Sequence, residues 1–166
     1  IENGELKKIS HPRVIDCSSF EENFETIEEL YELMCNHAVQ GHCFLKGQTS
    51  RILNSESRAG TTDANSPTQI LVLDLDGLKD VQDVEAFLKS LGLSDVDYIV
   101  QYSASSGIVK DRGLSAHIYI LLSKMWFPAM LKQWLIHQNL TNHSLRHNLG
   151  LTRTNNALRW VLDVTV

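Results

Sequence analysis

The sequence predicts an α+β domain with a mixed β-sheet and flanking helices. Three observations support this. QILVLDLDG (69–77) is apolar on both faces and reads as a central buried strand. YIVQYSASS and LSAHIYILLS read as two further strands, joined by the turn GIVKDRG. Between and around them lie segments with helical spacing, and strands and helices mix without strict alternation.

Taken in order, Ser19 and Glu22 form a capping-box pattern, followed at helical spacing by Phe24, Ile27, Leu30, Tyr31, Met34 and Ala38. Gly41 ends that helix, and HCFLKG reads as a short strand. Residues 54–68 are small, polar and proline-terminated, a long loop of the functional or disordered kind. After the 69–77 strand, Asp80 is placed to cap a helix whose inner face is Val81, Val84, Phe87, Leu88 and Leu91, with Gly92 at its end. Pro128 suits the first turn of a helix running to Leu140 with Met130, Leu131 and Trp134. Residues 139–156 read as irregular, and ALRWVLDVTV as the last strand. The expected organisation is one domain over 1–166, an N-terminal half to residue 68 and a second half from 69.

Apolar residues make up 43% of the 166, enough for a core, and no apolar run reaches the roughly 18 residues of a membrane span. Mean hydropathy is −0.15. Ile1 in place of Met, and an apolar run at the other end, suggest a piece of a longer chain. Three cysteines with no disulfide framework point to a reducing cytoplasm. The net charge of −5 conceals a split: residues 1–100 carry 8 Lys and Arg against 18 Asp and Glu, whereas residues 101–159 carry 7 against 1. Such asymmetry suits a polyanion partner for the C-terminal part, although a solvated basic face produces the same count.

Chemistry concentrates in three places. Asp74 and Asp76 sit at i and i+2 of a strand, on one face with Cα atoms about 6.5–7 Å apart. Two carboxylates so placed at the end of a buried strand call for a cation between them, and two Mg²⁺ ions about 3.5–4 Å apart would clamp a phosphoryl transfer. The bland alternative is a strand end whose acids cap the next helix or meet solvent. Ser115, His117 and Tyr119 share one face of LSAHIYILLS, and Ser115 with His117 makes a pair of donors for phosphate oxygens. Asp163 shares a face with Arg159 and Thr165 in the last apolar run and meets either solvent or a site. The set Cys35, His37, His42 and Cys43 lacks a usual zinc spacing, and Cys35 and Ala38 read as core-facing.

DxD, then SxH 41 residues on, then an apolar strand carrying hhD a further 46 residues on, resembles the archaeo-eukaryotic primase superfamily from about Lys46 to Val166. Its looser texture is similar to primase-polymerases of phages and mobile elements. The resemblance implies an RRM-like catalytic half over 69–166 and a template-dependent nucleotidyltransferase, a DNA primase or DNA polymerase. It implies Asp74, Asp76 and Asp163 as ligands of a two-metal Mg²⁺ or Mn²⁺ site without organic cofactor. It implies Ser115 and His117 as contacts to the incoming nucleotide's phosphates. Arg58, Lys110, Arg112 and Arg159 are then candidates for triphosphate or template phosphates. Implied partners are a single-stranded DNA template, nucleoside triphosphates and a helicase domain or subunit, with no membrane. The implied location is the cytoplasm, that of the bacterial host if phage-encoded.

Two other readings stay open. LVLDLDGL also resembles the opening motif of haloacid-dehalogenase-like phosphatases, with Asp74 as nucleophile and Asp76 as general acid. Leu78 and the single final acid depart from that pattern. A non-catalytic RRM-like nucleic-acid binder would stack bases on Tyr102 and Tyr119, and it leaves Asp74 and Asp76 without a role.

Overall fold

The computed structural model describes residues 15–79, 81, 83–103, 106, 113–152 and 157–165. The chain divides into two compact units, Ile1–Glu22 with Thr49–Thr62, and Asn23–Gln48 with Asp63–Val166. In the first, Cys17 bridges Glu56 and Thr49 bridges Thr62. Leu53 is buried there, and its N–H donates to Ser19 Oγ at 2.9 Å.

Among the described residues every helix and strand lies in the second unit. Its order is α1 (Ile27–Ala38), β1 (Thr68–Leu78), α2 (Val84–Ser90), β2 (Tyr98–Tyr102), β3 (Leu114–Trp126), α3 (Pro128–Thr141), α4 (His143–His147), β4 (Gly150–Leu151) and β5 (Leu158–Arg159). β1, β2 and β3 form one sheet in the order β1-β3-β2, and β4 pairs with β5. All these pairings are antiparallel, which corrects the expected mixed sheet: β3 lies between β1 and β2 and runs against both. The class is α+β. Among the described residues no helix is long and apolar enough to cross a membrane.

The middle strand is β3, not β1. β1 pairs with β3 on one side, and its other side is taken only near Asp74, where Leu75 bridges Leu162 in antiparallel fashion. Leu71, Leu73 and Leu75 face the core beside Ile118 and Ile120. The same core receives Phe87 and Leu88 from α2, Leu131 and Leu135 from α3, and Leu145 from α4. Each such side chain contributes about 1.5–3 kcal/mol on burial. The opposite face of β1 carries Val72, Asp74 and Asp76, which are half-buried or exposed.

β1 ends in a bulge. Leu75 lies opposite Ala116 and Leu78 opposite Leu114, so β1 spends one residue more than β3 over this stretch. Gly77 absorbs the extra residue at φ +75°, a conformation that costs glycine little. Across the sheet Gly113 is also obligatory, because a Cβ there would come within 2.3 Å of the Leu78 carbonyl oxygen.

Several local expectations are corrected. α1 starts at Ile27 with Thr26 as its cap, whose Oγ1 accepts the Glu29 N–H, while Ser19 serves Leu53 in the other unit. Its buried stripe is Leu30 with Ile27, Leu33, Met34 and His37 beside it, so Cys35 and Ala38 are exposed. α2 is capped by Asp83, whose Oδ1 accepts the Ala86 N–H at 2.7 Å; Asp80 lies outside the described residues. HCFLKG is irregular rather than a strand. Residues 139–156 contain the end of α3, the short helix α4 and strand β4. The last run is a strand only at Leu158–Arg159, and the following Val161 and Leu162 are both buried, which a regular strand with one open face would not allow.

That final segment is held by Asn139 of α3, whose side chain is fully buried. Its Nδ2 donates to the carbonyls of Leu135 and Leu162, each at 2.9 Å. Its Oδ1 accepts the N–H groups of Val161 and Leu162 at 3.2 and 3.1 Å. The amide is saturated, and it satisfies three backbone groups that have no ladder partner from a full strand. Asn139→Ala therefore strands buried polar groups and is expected to cost about 3 kcal/mol, read by urea denaturation. Asn139→Asp, which sets a buried carboxylate oxygen against the Leu135 and Leu162 carbonyls in place of two N–H donors, should cost at least as much as Ala. A loss below about 0.5 kcal/mol in the Ala variant would contradict this role.

Candidate functional site

The site begins with strand register. Asp74 on β1 lies opposite His117 on β3, and Gln101 on β2 lies opposite His117 from the other side. Directly opposed residues project to the same face, so one row crosses the sheet. His117 Nε2 lies 3.2 Å from Asp74 Oδ1, and His117 Nδ1 lies 3.4 Å from Gln101 Oε1. Two residues along β3, the Tyr119 hydroxyl donates to the same Gln101 Oε1 at 3.1 Å. Phe44 packs edge-on against the Tyr119 ring at 5.4 Å between centroids. The irregular 42–48 segment thus roofs this face, and that is why Tyr119 is buried although it points away from the core.

The second acid arrives from the far end of the chain. The Asp163 N–H donates to the Asp74 carbonyl at 3.0 Å, one residue beyond the Leu75–Leu162 bridge. With the backbones locked together, the two carboxylates converge on Lys46. Its Nζ is 3.1 Å from Asp74 Oδ2 and 3.1 Å from Asp163 Oδ2. The Lys46, Asp74 and Asp163 side chains are 23%, 29% and 38% exposed, so the trio is reachable yet partly desolvated. Burial pushes the Asp163 carboxyl up, but the Thr165 hydroxyl and N–H and the Lys46 ammonium outweigh it, and it ends below the ordinary value of 3.8. The Tyr119 hydroxyl is pushed up by burial, then by the negative charge of Asp74 and by Cys43.

The other expected residues fall as follows. Asp76 lies in the bulge beside Gly77; its side chain is exposed and its N–H points to the Val161 carbonyl at 3.5 Å. Ser115 is buried, and its Oγ accepts the Gly77 N–H at 2.9 Å, tying the bulge to β3. Arg159 is exposed on β5, its guanidinium over Gly150. Arg58 belongs to the other unit, where its carbonyl accepts from Thr61. Lys110 and Arg112 lie outside the described residues. Asp74, His117 and Asp163 are therefore brought together, while Ser115 is turned inward to hold the backbone. Sequence reasoning missed Lys46, Gln101 and Asn139. One signal for Lys46 was present: it is the sole Lys or Arg between residues 14 and 50, set between apolar residues and glycine in an acidic stretch.

The donor set can be tested against a divalent ion. Among the described residues no three His, Cys, Asp or Glu side chains form a ready metal cluster. Two carboxylate oxygens nevertheless converge on one cationic atom, and oxygen donors are those that Mg²⁺ and Mn²⁺ take. Asp74 and Asp163 fit such an ion, whereas the Asp76 side chain is exposed on the adjoining bulge. The ammonium of Lys46 stands where positive charge is required.

A pH dependence follows from Asp163. A carboxyl whose folded pKa is depressed adds stability that is fully present above the ordinary value of 3.8 and is lost as pH falls through the lower folded value. The stability difference between wild type and Asp163→Asn, measured by urea denaturation at successive pH values, should be constant above about pH 5 and shrink below about pH 4. A difference that is flat down to pH 2.5 would contradict the Lys46 and Thr165 contacts.

Compared with protein-family models, curated proteins and solved structures, the chain matches none.

Proposed function

We propose that the chain is the catalytic part of a template-dependent nucleotidyltransferase of the primase-polymerase type. It would join nucleoside triphosphates on a single-stranded DNA template, with a helicase domain or subunit as an expected partner. The observation that carries this reading is the meeting of Asp74 and Asp163, 89 residues apart in sequence, on one cation with His117 alongside. Topology supports it as well. The succession β1, α2, β2, β3, α3 and the closing 160–165 segment, with sheet order β1-β3-β2 and an isolated bridge from the closing segment to β1, is compatible with an RRM-like half. α2, α3 and α4 pack on one face of β1 and β3, and Asp74 and His117 lie on the other.

In this reading Asp74 and Asp163 hold the divalent ion, and Asp76, exposed on the bulge two residues after Asp74, would be the third acid. Bound there, Mg²⁺ or Mn²⁺ would neutralise phosphate charge and align the attacking and leaving oxygens. His117, fixed between Asp74 and Gln101, presents a ring beside the acids where triphosphate oxygens would lie. Ser115 acts indirectly, by fastening the bulge that carries Asp76. The exposed Lys124, Lys132, Arg146 and Arg159 of the basic half suit a polynucleotide more than a small phosphate ester.

The test is incubation with bare and primed single-stranded templates, nucleoside triphosphates and Mn²⁺, beside a generic phosphomonoester assay. Template-dependent product is expected, falling about 100-fold or more in Asp163→Ala. His117→Ala should weaken nucleotide use by about tenfold, the loss of a hydrogen bond to a charged group. Incorporation that persists undiminished in Asp163→Ala, or phosphatase turnover without incorporation, would contradict the proposal.

A further inference from the structure

We infer that Lys46 is a resident counter-ion: its ammonium occupies the divalent-cation position between Asp74 and Asp163, and it must leave for the metal to bind. The inference rests on the metal-binding reading of those two acids. Lys46 Nζ lies at the same 3.1 Å from one oxygen of each carboxylate, so it bridges the pair rather than pairing with either acid alone. A divalent ion shared by the same two oxygens would sit about 2.1 Å from them, inside the volume the ammonium fills. Lysine and metal are therefore alternatives, not neighbours.

The surrounding chain supports an exchange. Without a cation, two carboxylates held together by the Asp163 N–H to Asp74 carbonyl bond would repel, and their backbones have no freedom to separate. Lys46 relieves this without a metal, while its own backbone belongs to an irregular segment outside the sheet. Gly47 follows at φ +72°. Phe44 anchors the same segment on Tyr119 two residues earlier, so a released Lys46 stays beside the site. There it is placed to meet the phosphate oxygens of an anionic substrate. Metal occupancy and availability of the lysine for phosphate are then one event.

The experiment compares Mn²⁺ binding to the intact chain and to Lys46→Met by calorimetry and by the paramagnetic signal of free Mn²⁺. Beside it, the Lys46 side-chain resonance of selectively ¹³C-lysine-labelled wild type is followed during Mg²⁺ titration and assigned by its absence in Lys46→Arg. Expected are about tenfold or more tighter Mn²⁺ binding in Lys46→Met and a lower melting temperature of that variant in chelator, restored by Mn²⁺. The wild-type Lys46 resonance should move in step with Mg²⁺ saturation. Equal or weaker Mn²⁺ affinity in Lys46→Met, with wild type binding, overturns the counter-ion while leaving the metal site standing. Absence of binding in both overturns the metal reading itself and the counter-ion with it. If Lys46→Met does not fold, the wild-type titration decides: a Lys46 resonance that stays fixed while Mg²⁺ binds overturns the inference.

Discussion

The candidate site depends on one buried amide. Asn139 projects from α3 into the space beside β1 and supplies, from a single side chain, both donors and acceptors that a neighbouring strand would have given to residues 161 and 162. Its fourth bond, to Leu135, ties it to its own helix. A buried polar group is tolerated when every one of its bonds is made, and here all are. The consequence lies one residue further on. With Leu162 fixed against Leu75, the Asp163 N–H reaches the Asp74 carbonyl and its carboxylate comes beside that of Asp74. α3, β1 and the end of the described chain are thereby bound into one frame.

The frame sets up an electrostatic conflict and contains its partial resolution. Two acids are brought together at an intermediate depth, where water screens them incompletely and attraction to a cation is stronger than at a free surface. Lys46 and the Thr165 hydroxyl quiet the pair without neutralising it fully, since one ammonium faces two carboxylates. A fold that served stability alone could place apolar side chains here, as Leu71 and Leu73 do on the other face. Keeping charge at the join of β1 and the closing segment is the arrangement expected where polar pre-organisation serves a ligand. The bulge at Asp76 and Gly77 belongs to the same design, because it bends the strand just after Asp74, and Ser115 locks the bend.

Much of this architecture was legible in the sequence, for identifiable reasons. β2 and β3 were readable from alternation, β1 from a continuous apolar run ended by Gly77, and α3 from Pro128 at its first turn. The inward face of α2 was readable from Val84, Phe87, Leu88 and Leu91, although its cap is Asp83 and not Asp80. β1 read as central because Ile70 and Val72 made its second face apolar. The 42–48 segment lying over that side of the sheet is a non-local fact that periodicity does not carry. Asp74 and His117 were both singled out, but not their direct opposition, since register between strands some forty residues apart is set by turns and bulges. Lys46 was illegible as a partner because its contacts span 28 and 117 residues. Asn139 resembled an ordinary polar residue near a helix end. Ser115 was read from its face, and its hydroxyl also accepts the Gly77 N–H of the bulge, a contact that alternation does not carry.

Asp74 and Asp163 are proposed together as a divalent-cation site. The most direct measurement is an anomalous difference map from crystals of the chain soaked in Mn²⁺. A peak is expected about 2.1 Å from one oxygen of each carboxylate, with the Lys46 ammonium moved out of the position it now holds 3.1 Å from both. Mn²⁺ found only elsewhere, with Lys46 still bridging Asp74 and Asp163, would contradict it.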